Sequence, residues 1–215
     1  MIGNRIATAL DLFARFTDGP EDAEPVACRF AQALSEAGGE AALEIGVRAG
    51  GMSAIFCYLA ARLRPPPFMV FSIDPWGCAP YAERGEDVSS ILAYGERFYA
   101  EARALLARFP NSVLYRLDAD LFLDGVLPHL RWWFEHTAFP TSPRFLSFAY
   151  LDGRHDAASV VSETMRVLPH VAPRGCVLID NVDKCPEAAA FLRAAFPRLR
   201  IEDLGDRRLG ISPRV

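Results

Sequence analysis

The stretch "AALEIGVRAGGMSAIF", residues 41–56, decides how the rest of the chain reads. Residues 41–47 are apolar apart from Glu44 and Gly46, as expected of a strand buried on both faces. Gly50 and Gly51 break the run. After them Met52, Ile55, Phe56, Leu59 and Leu63 fall on one stripe of a helix. Strand, glycine turn and amphipathic helix together make the repeating unit of a parallel sheet.

The unit recurs downstream. Strands are predicted over 68–74, 112–118, 144–152 and 175–181. Helices are predicted from the residue-86 region to about Phe109, through "LFLDGVLPHLRWWFEH" with an interruption near Pro128, over 156–169, and through "PEAAAFLRAAFP". Asp156 is the expected N-cap of the 156–169 helix. "RLRIEDL" and "RRLGISP", joined by Gly205-Asp206, predict an antiparallel hairpin at one edge. Upstream, residues 1–37 read as two helices, the second starting at Pro25, with "TDGPEDAE" as a loop between them. The fold class is α/β: a doubly wound, mostly parallel seven-stranded sheet with an antiparallel last strand and N-terminal helices. The division is 1–39, a helical segment that could cap a substrate, and 40–215, the sheet domain.

Composition narrows the function. The chain has 215 residues, 51% hydrophobic and 23% charged, so a core forms without metal or disulfide. A net charge of −4 argues against a nucleic-acid surface. The five cysteines are scattered with no CxxC pair, so no zinc site is indicated. The first 18 residues are helical but interrupted by charge, which excludes a signal peptide or a membrane span. A soluble, cytoplasmic protein is expected.

In such sheets, ligands bind at the carboxyl ends of the strands. After strand one, the Gly46, Gly50 and Gly51 turn lets backbone approach a ligand, and Ser53 opens the helix. The spacing GxxxGG is not the GxGxxG of a nicotinamide site. Glu44, inside the strand, suits a ligand ammonium rather than a phosphate. Asp74 ends strand two, where an acid can accept both ribose hydroxyls; alone it reads more readily as a turn aspartate before Pro75. The Asp118, Ala119, Asp120 segment ends strand three, and either acid could cap a helix. "YLDGRHD" (150–156) ends strand four and "LIDNV" (178–182) ends strand five. Asp152, Asp180 and the Asn181 amide form an all-oxygen set suited to Mg²⁺ or a similar divalent cation. His155 is a proton acceptor near neutral pH. The blander reading is a pair of helix caps and a surface histidine.

Glu-x-Gly…Gly-Gly-x-Ser, the Asp after strand two, Asp-Gly-x-His and Asp-Asn together resemble class I S-adenosylmethionine-dependent methyltransferases, over about residues 40–215. Within that Rossmann-like methyltransferase fold, the nearest group is the small-molecule O-methyltransferases of catechol and macrocin type. The resemblance implies that Glu44 and the Gly46–Gly51 turn hold the cofactor's methionine part, that Ser53 faces its carboxylate, and that Asp74 binds the ribose. It places Asp118, Ala119 and Asp120 along the adenine. It makes Asp152, Asp180 and Asn181 metal ligands, and His155, with Asp152, the catalytic pair. A histidine base could also work alone, without a cation, and Arg154 beside it already supplies positive charge. The expected reaction is O-methylation of a small-molecule hydroxyl. The competing readings are a NAD- or nucleotide-binding protein and a non-catalytic binding protein. Trp76 and Tyr81, or Phe13 and Phe16, could roof the pocket, although core packing suits the phenylalanines better. Of Trp132 and Trp133, one could reach an interface, and a homodimer is the partner expectation.

Overall fold

The computed structural model describes residues 2–17, 19–64, 68–77, 88–138, 144–205 and 207–213. Seven strands form one sheet in the order β3-β2-β1-β4-β5-β7-β6. They are β1 (Ala41–Ile45), β2 (Met69–Ile73), β3 (Ser112–Tyr115), β4 (Leu146–Leu151), β5 (Val171–Ile179), β6 (Leu199–Asp203) and β7 (Leu209–Pro213). β1 pairs in parallel with β2 and β4. β7 pairs antiparallel with both β5 and β6, so it alone runs backwards, and β6 is the outer strand of the predicted hairpin. β1 and β4 are buried along their whole length, which explains their near-continuous apolar sequences.

Helices cover both faces. α1 (Ile2–Phe13), α2 (Pro20–Glu36), α3 (Gly51–Leu63) and α4 (Val88–Leu106) lie on one. There Phe30 meets Phe56 and Phe148 at ring-centroid distances of 4.6 and 5.3 Å. α1 and α2 share this core with α3: Phe13 packs edge-on against Tyr58 and Phe109. On the other face lie α5 (Ala119–Leu121), α6 (Leu127–Trp133), α7 (Ala157–Val167) and α8 (Pro186–Ala195), around Phe122, Phe134 and Leu146.

Two expectations need correction. Residues 20–24 are helix rather than loop, because α2 begins at Pro20. A proline in the first turn lacks an N–H that would be unsatisfied there anyway, and Glu21 and Asp22 meet the positive helix end. The chain from Ala119 to Ala138 is helical without a break. Pro128 falls in the first turn of α6, and wider π-type turns at Phe122–Val126 and Phe134–Ala138 take up the irregularity. The Asp156 cap is present, its carboxylate accepting from the Ser159 amide at 2.9 Å.

Candidate active site

A cleft opens at the carboxyl ends of β1, β4 and β5. Its walls include Glu44, Gly46, Gly51, Tyr150, Asp152, Asp180, Arg207 and Arg208, with Phe16 and Thr17 across the mouth. The strand order creates this place. β1 and β4 are neighbours whose following helices lie on opposite faces, so the loops after them diverge.

The β1 wall is a backbone turn around two acids. Gly46 has φ 92°, and a side chain there would run into the Asp152 carbonyl. Gly50 adopts the left-handed conformation that starts α3. A side chain on Gly51 would strike the Phe16 carbonyl, which shows how closely the N-terminal segment crosses the turn. Glu44 is 1% exposed. Burial pushes its carboxyl well above the ordinary range; a hydrogen bond from Ser53 opposes this, and the charges of Asp152 and Asp74 add to it. Ser53 is fully buried and also hydrogen-bonds Ser72 at 2.6 Å, so it lies beneath the cleft and fixes Glu44. Asp74 is engaged by three backbone amides: Val47 and Arg48 donate to one oxygen at 2.9 and 3.0 Å, and Trp76 to the other at 2.8 Å. In this structure it staples the glycine turn to the end of β2. Burial raises its carboxyl, and these amides partly offset the rise. Trp76 is buried, its indole N–H donating to the Arg48 carbonyl at 2.8 Å, so it braces the turn rather than roofing a pocket. Tyr81 lies outside the described residues.

Asp118 caps α5 through the Asp120 amide and pairs with Arg154 at 2.8 Å. Asp120 pairs with Arg154 and Arg166, which hold its carboxyl below the ordinary range despite partial burial. Ala119 is buried. Arg154 therefore ties the loop after β4 to the segment after β3. His155, half-buried on the same loop, does not line the cleft.

At the ends of β4 and β5 the structure brings together Asp152, Asp180 and Asn181. The Asn181 amide nitrogen donates to Asp152 Oδ1 at 2.8 Å. Asp180 is enclosed by donors: Tyr150 Oη at 2.5 Å, Arg207 Nε at 2.9 Å, Arg208 Nε at 3.3 Å and the Asn181 backbone amide at 2.8 Å. Burial would raise the Asp180 carboxyl, but these hydrogen bonds and the Arg208 charge outweigh it and hold it low. Asp152 goes the other way: burial and the Asp180 charge push it up to about 7. Tyr150, Arg207 and Arg208 were not anticipated from the sequence. Tyr150 had a signal, since it lies two residues before Asp152 and so shares its side of the strand. The adjacent arginines had only their unusual place in a hairpin turn.

The sequence profile of the methyltransferase-domain family matches residues 43–182, more than half of the chain. The chain belongs to this family. The methyltransferase also shares its fold with solved structures at low identity. CalS11, a calicheamicin methyltransferase, is 16% identical with a TM-score of 0.59, covering 94% of this chain and 82% of that one. The O-methyltransferase NovP is 16% identical with a TM-score of 0.60, covering 92% and 81%. A Podospora anserina methyltransferase with S-adenosylhomocysteine bound is 11% identical with a TM-score of 0.58, covering 98% and 88%. No curated protein matches the sequence. The seven-stranded order with its single reversed strand and the family match identify a class I S-adenosylmethionine-dependent methyltransferase. Among the described residues, no helix is long and apolar enough to cross a membrane.

The methyltransferase's β1 wall fits the cofactor: a buried acid stands beside a turn whose glycines leave no room for side chains. The expected cation seat does not fit a metal as arranged. The Asp180 oxygens already accept four hydrogen bonds, and Asn181 turns its N–H₂, not its oxygen, to Asp152. Among the described residues no group of three or more His, Cys, Asp or Glu side chains is gathered for a metal.

Proposed function

We propose that this enzyme methylates a hydroxyl oxygen of a small-molecule acceptor, with the acceptor seated between the glycine turn and the loop after β4. The observation that carries the cofactor side of this reading is Glu44, a buried acid at the floor of the cleft whose neighbours Ser53, Ser72 and Asp74 bring no positive charge. Such a group is poised for a ligand that brings its own cation, as the aminoacyl end of S-adenosylmethionine does. When bound, that cofactor supplies a methyl on a sulfonium, which a deprotonated acceptor oxygen takes as the thioether is released.

The chain's residues then have separable tasks. Glu44 would hold the ammonium, and the Gly46–Gly51 backbone would lie along the methionine part. Asp74 would keep the turn in place and offer the ribose an acceptor, and Asp118 to Asp120 would flank the adenine. His155, outside the cleft lining but on the loop after β4 that borders the acceptor's seat, would receive the acceptor's proton. Alignment of donor and acceptor alone can lower such a barrier by about 7–11 kcal/mol in favourable cases. The O-methyl specificity draws support from the likeness to CalS11 and NovP, one acting in calicheamicin chemistry and the other an O-methyltransferase. The cleft measures about 70 Å³, well under the roughly 300 Å³ of small ligand sites. Phe16 and Thr17, close against Gly51, border the space that the cofactor would enter.

Calorimetric titration with S-adenosylhomocysteine and with NAD⁺ tests the reading. Saturable binding of the first alone is expected; binding of NAD⁺ alone would overturn it. His155→Gln should keep S-adenosylhomocysteine binding while slowing methyl transfer on the order of 10²–10⁴-fold. An unchanged rate would remove His155 as the base.

A further inference from the structure

The turn between β6 and β7 is held over the end of β5 by backbone bonds. The Val182 amide donates to the Arg207 carbonyl at 3.0 Å, and the Leu204 amide to the Arg208 carbonyl at 2.9 Å. This fixes two consecutive arginines beside Asp180. Arg208 has a side chain 7% exposed and Asp180 one 1% exposed, so that pair is desolvated; Arg207 is 39% exposed and reaches the cleft. Both guanidiniums also approach Asp22 of α2, at 3.2 and 3.5 Å.

Two guanidiniums bring the same formal charge as one divalent cation, and they bring it to the carboxylate that would have been the cation's principal ligand. We propose that the Arg207–Arg208 pair replaces a divalent cation in this methyltransferase, and that Arg207 is the group that holds the acceptor oxygen as an anion. A buried carboxylate needs a compensating charge. A metal would have to displace Arg207 and Arg208, and rotate Asn181 so that its oxygen faced inward. Displacement would leave the buried Arg208 guanidinium only the more distant Asp22, which is unfavourable. Arg207 differs from its neighbour in having one edge directed to solvent. Its Nε is bound to Asp180 and its Nη1 to Asp22, so the guanidinium plane is fixed while the remaining donors stay available. A fixed donor at a developing oxyanion provides the electrostatic part of what a metal would provide.

This inference rests on the proposed function for the place of the acceptor, but its first test does not. The full chain is titrated with Mn²⁺, following free Mn²⁺ by electron paramagnetic resonance, with and without S-adenosylhomocysteine. No saturable Mn²⁺ site is expected in the native chain, while about one site per chain should appear in Arg207→Ser/Arg208→Ser and vanish again when Asp180→Asn is added. Saturable Mn²⁺ binding by the native chain, lost in Asp180→Asn alone, would overturn the proposal. Should the double variant fail to fold, the native titration still decides. Absence of S-adenosylhomocysteine binding strikes the functional reading separately, whatever Mn²⁺ does. For Arg207 itself, Arg207→Gln should lower the methyl-transfer rate on the order of 10²–10³-fold with unchanged S-adenosylhomocysteine affinity. An undiminished rate would remove its role at the acceptor.

Discussion

At the ends of β1 and β2, the buried acids Glu44 and Asp74 accept from a hydroxyl and backbone amides; at the end of β5, Asp180 receives two guanidiniums. Burial raises the carboxyls on the first side, whereas hydrogen bonds and positive charge hold Asp180 low on the second. Two guanidiniums sit on the carboxylate of the second wall, and the acids of the first are met by neutral donors. The physical lesson is that a buried acid marks a ligand site most clearly where the protein withholds its counter-charge. A seat that supplies its own cations has less need of a metal.

Charge removal should therefore act oppositely on the two walls. Asp180→Ala leaves the buried Arg208 only the more distant Asp22 and Tyr150 only the longer bond to Asp152, and should cost roughly 3–5 kcal/mol in urea unfolding. A loss under about 1 kcal/mol would mean that the pair is dispensable. Gly46→Ala joins the walls in another way. Its positive φ and the Asp152 carbonyl in its path predict a loss of roughly 3 kcal/mol, with the melting temperature as readout.

Glu163 on α7 gives a reference outside both walls. It is 3% exposed, and burial raises its carboxyl to about 7 against the pull of Arg154. A raised folded-state value means that the folded chain binds the extra proton, so this group's stability contribution is full below the ordinary carboxylate range. It is lost as pH rises from about 4.5 through 7. Glu163→Gln should gain about 2–3 kcal/mol over the native chain at pH 8 and almost nothing at pH 4. Equal effects at both pH values would contradict the assignment.

The smallest expected effect is the sharpest for the comparison. Glu44→Gln should leave the ligand-free protein as stable or more so, since burial disfavours a charged carboxylate there. S-adenosylhomocysteine affinity should fall by about 1.5–3 kcal/mol through loss of a charged hydrogen-bond partner. In the native chain burial favours the protonated Glu44 and a bound ammonium the ionised one, so affinity should rise with pH and the calorimetric heat should depend on the buffer's ionisation enthalpy. A heat independent of buffer would show that Glu44 is charged beforehand.

Much of the fold was legible because it is written locally. The alternation of apolar runs with helical stripes, the glycines after β1 and the Asp156 cap all act within a few residues of themselves. The acids at the strand ends were legible for the same reason, each interrupting an apolar run. The start of α2 was not legible because a proline inside a helix, as Pro25 is, reads locally as a helix start. Ser53 and Asp74 were placed at the cleft by position and by resemblance, and the structure adds the partners that hold them: Glu44 and Ser72 for Ser53, the amides of the turn for Asp74. No local signal distinguishes an acid that meets a ligand from one that meets its own backbone.

By itself the sequence determined the parallel strand–helix frame, the single reversed strand and the acids Glu44, Asp74, Asp152 and Asp180 at strand ends, since these follow from periodicity and chain direction. Only the tertiary structure decided what those acids face. β7 inserts between β5 and β6, and this carries Arg207 and Arg208 to Asp180. α2 brings Asp22 to the same arginines from the far end of the chain. Such contacts join residues whose separation along the chain has no period, so only the packing of the sheet and its helices could bring them together.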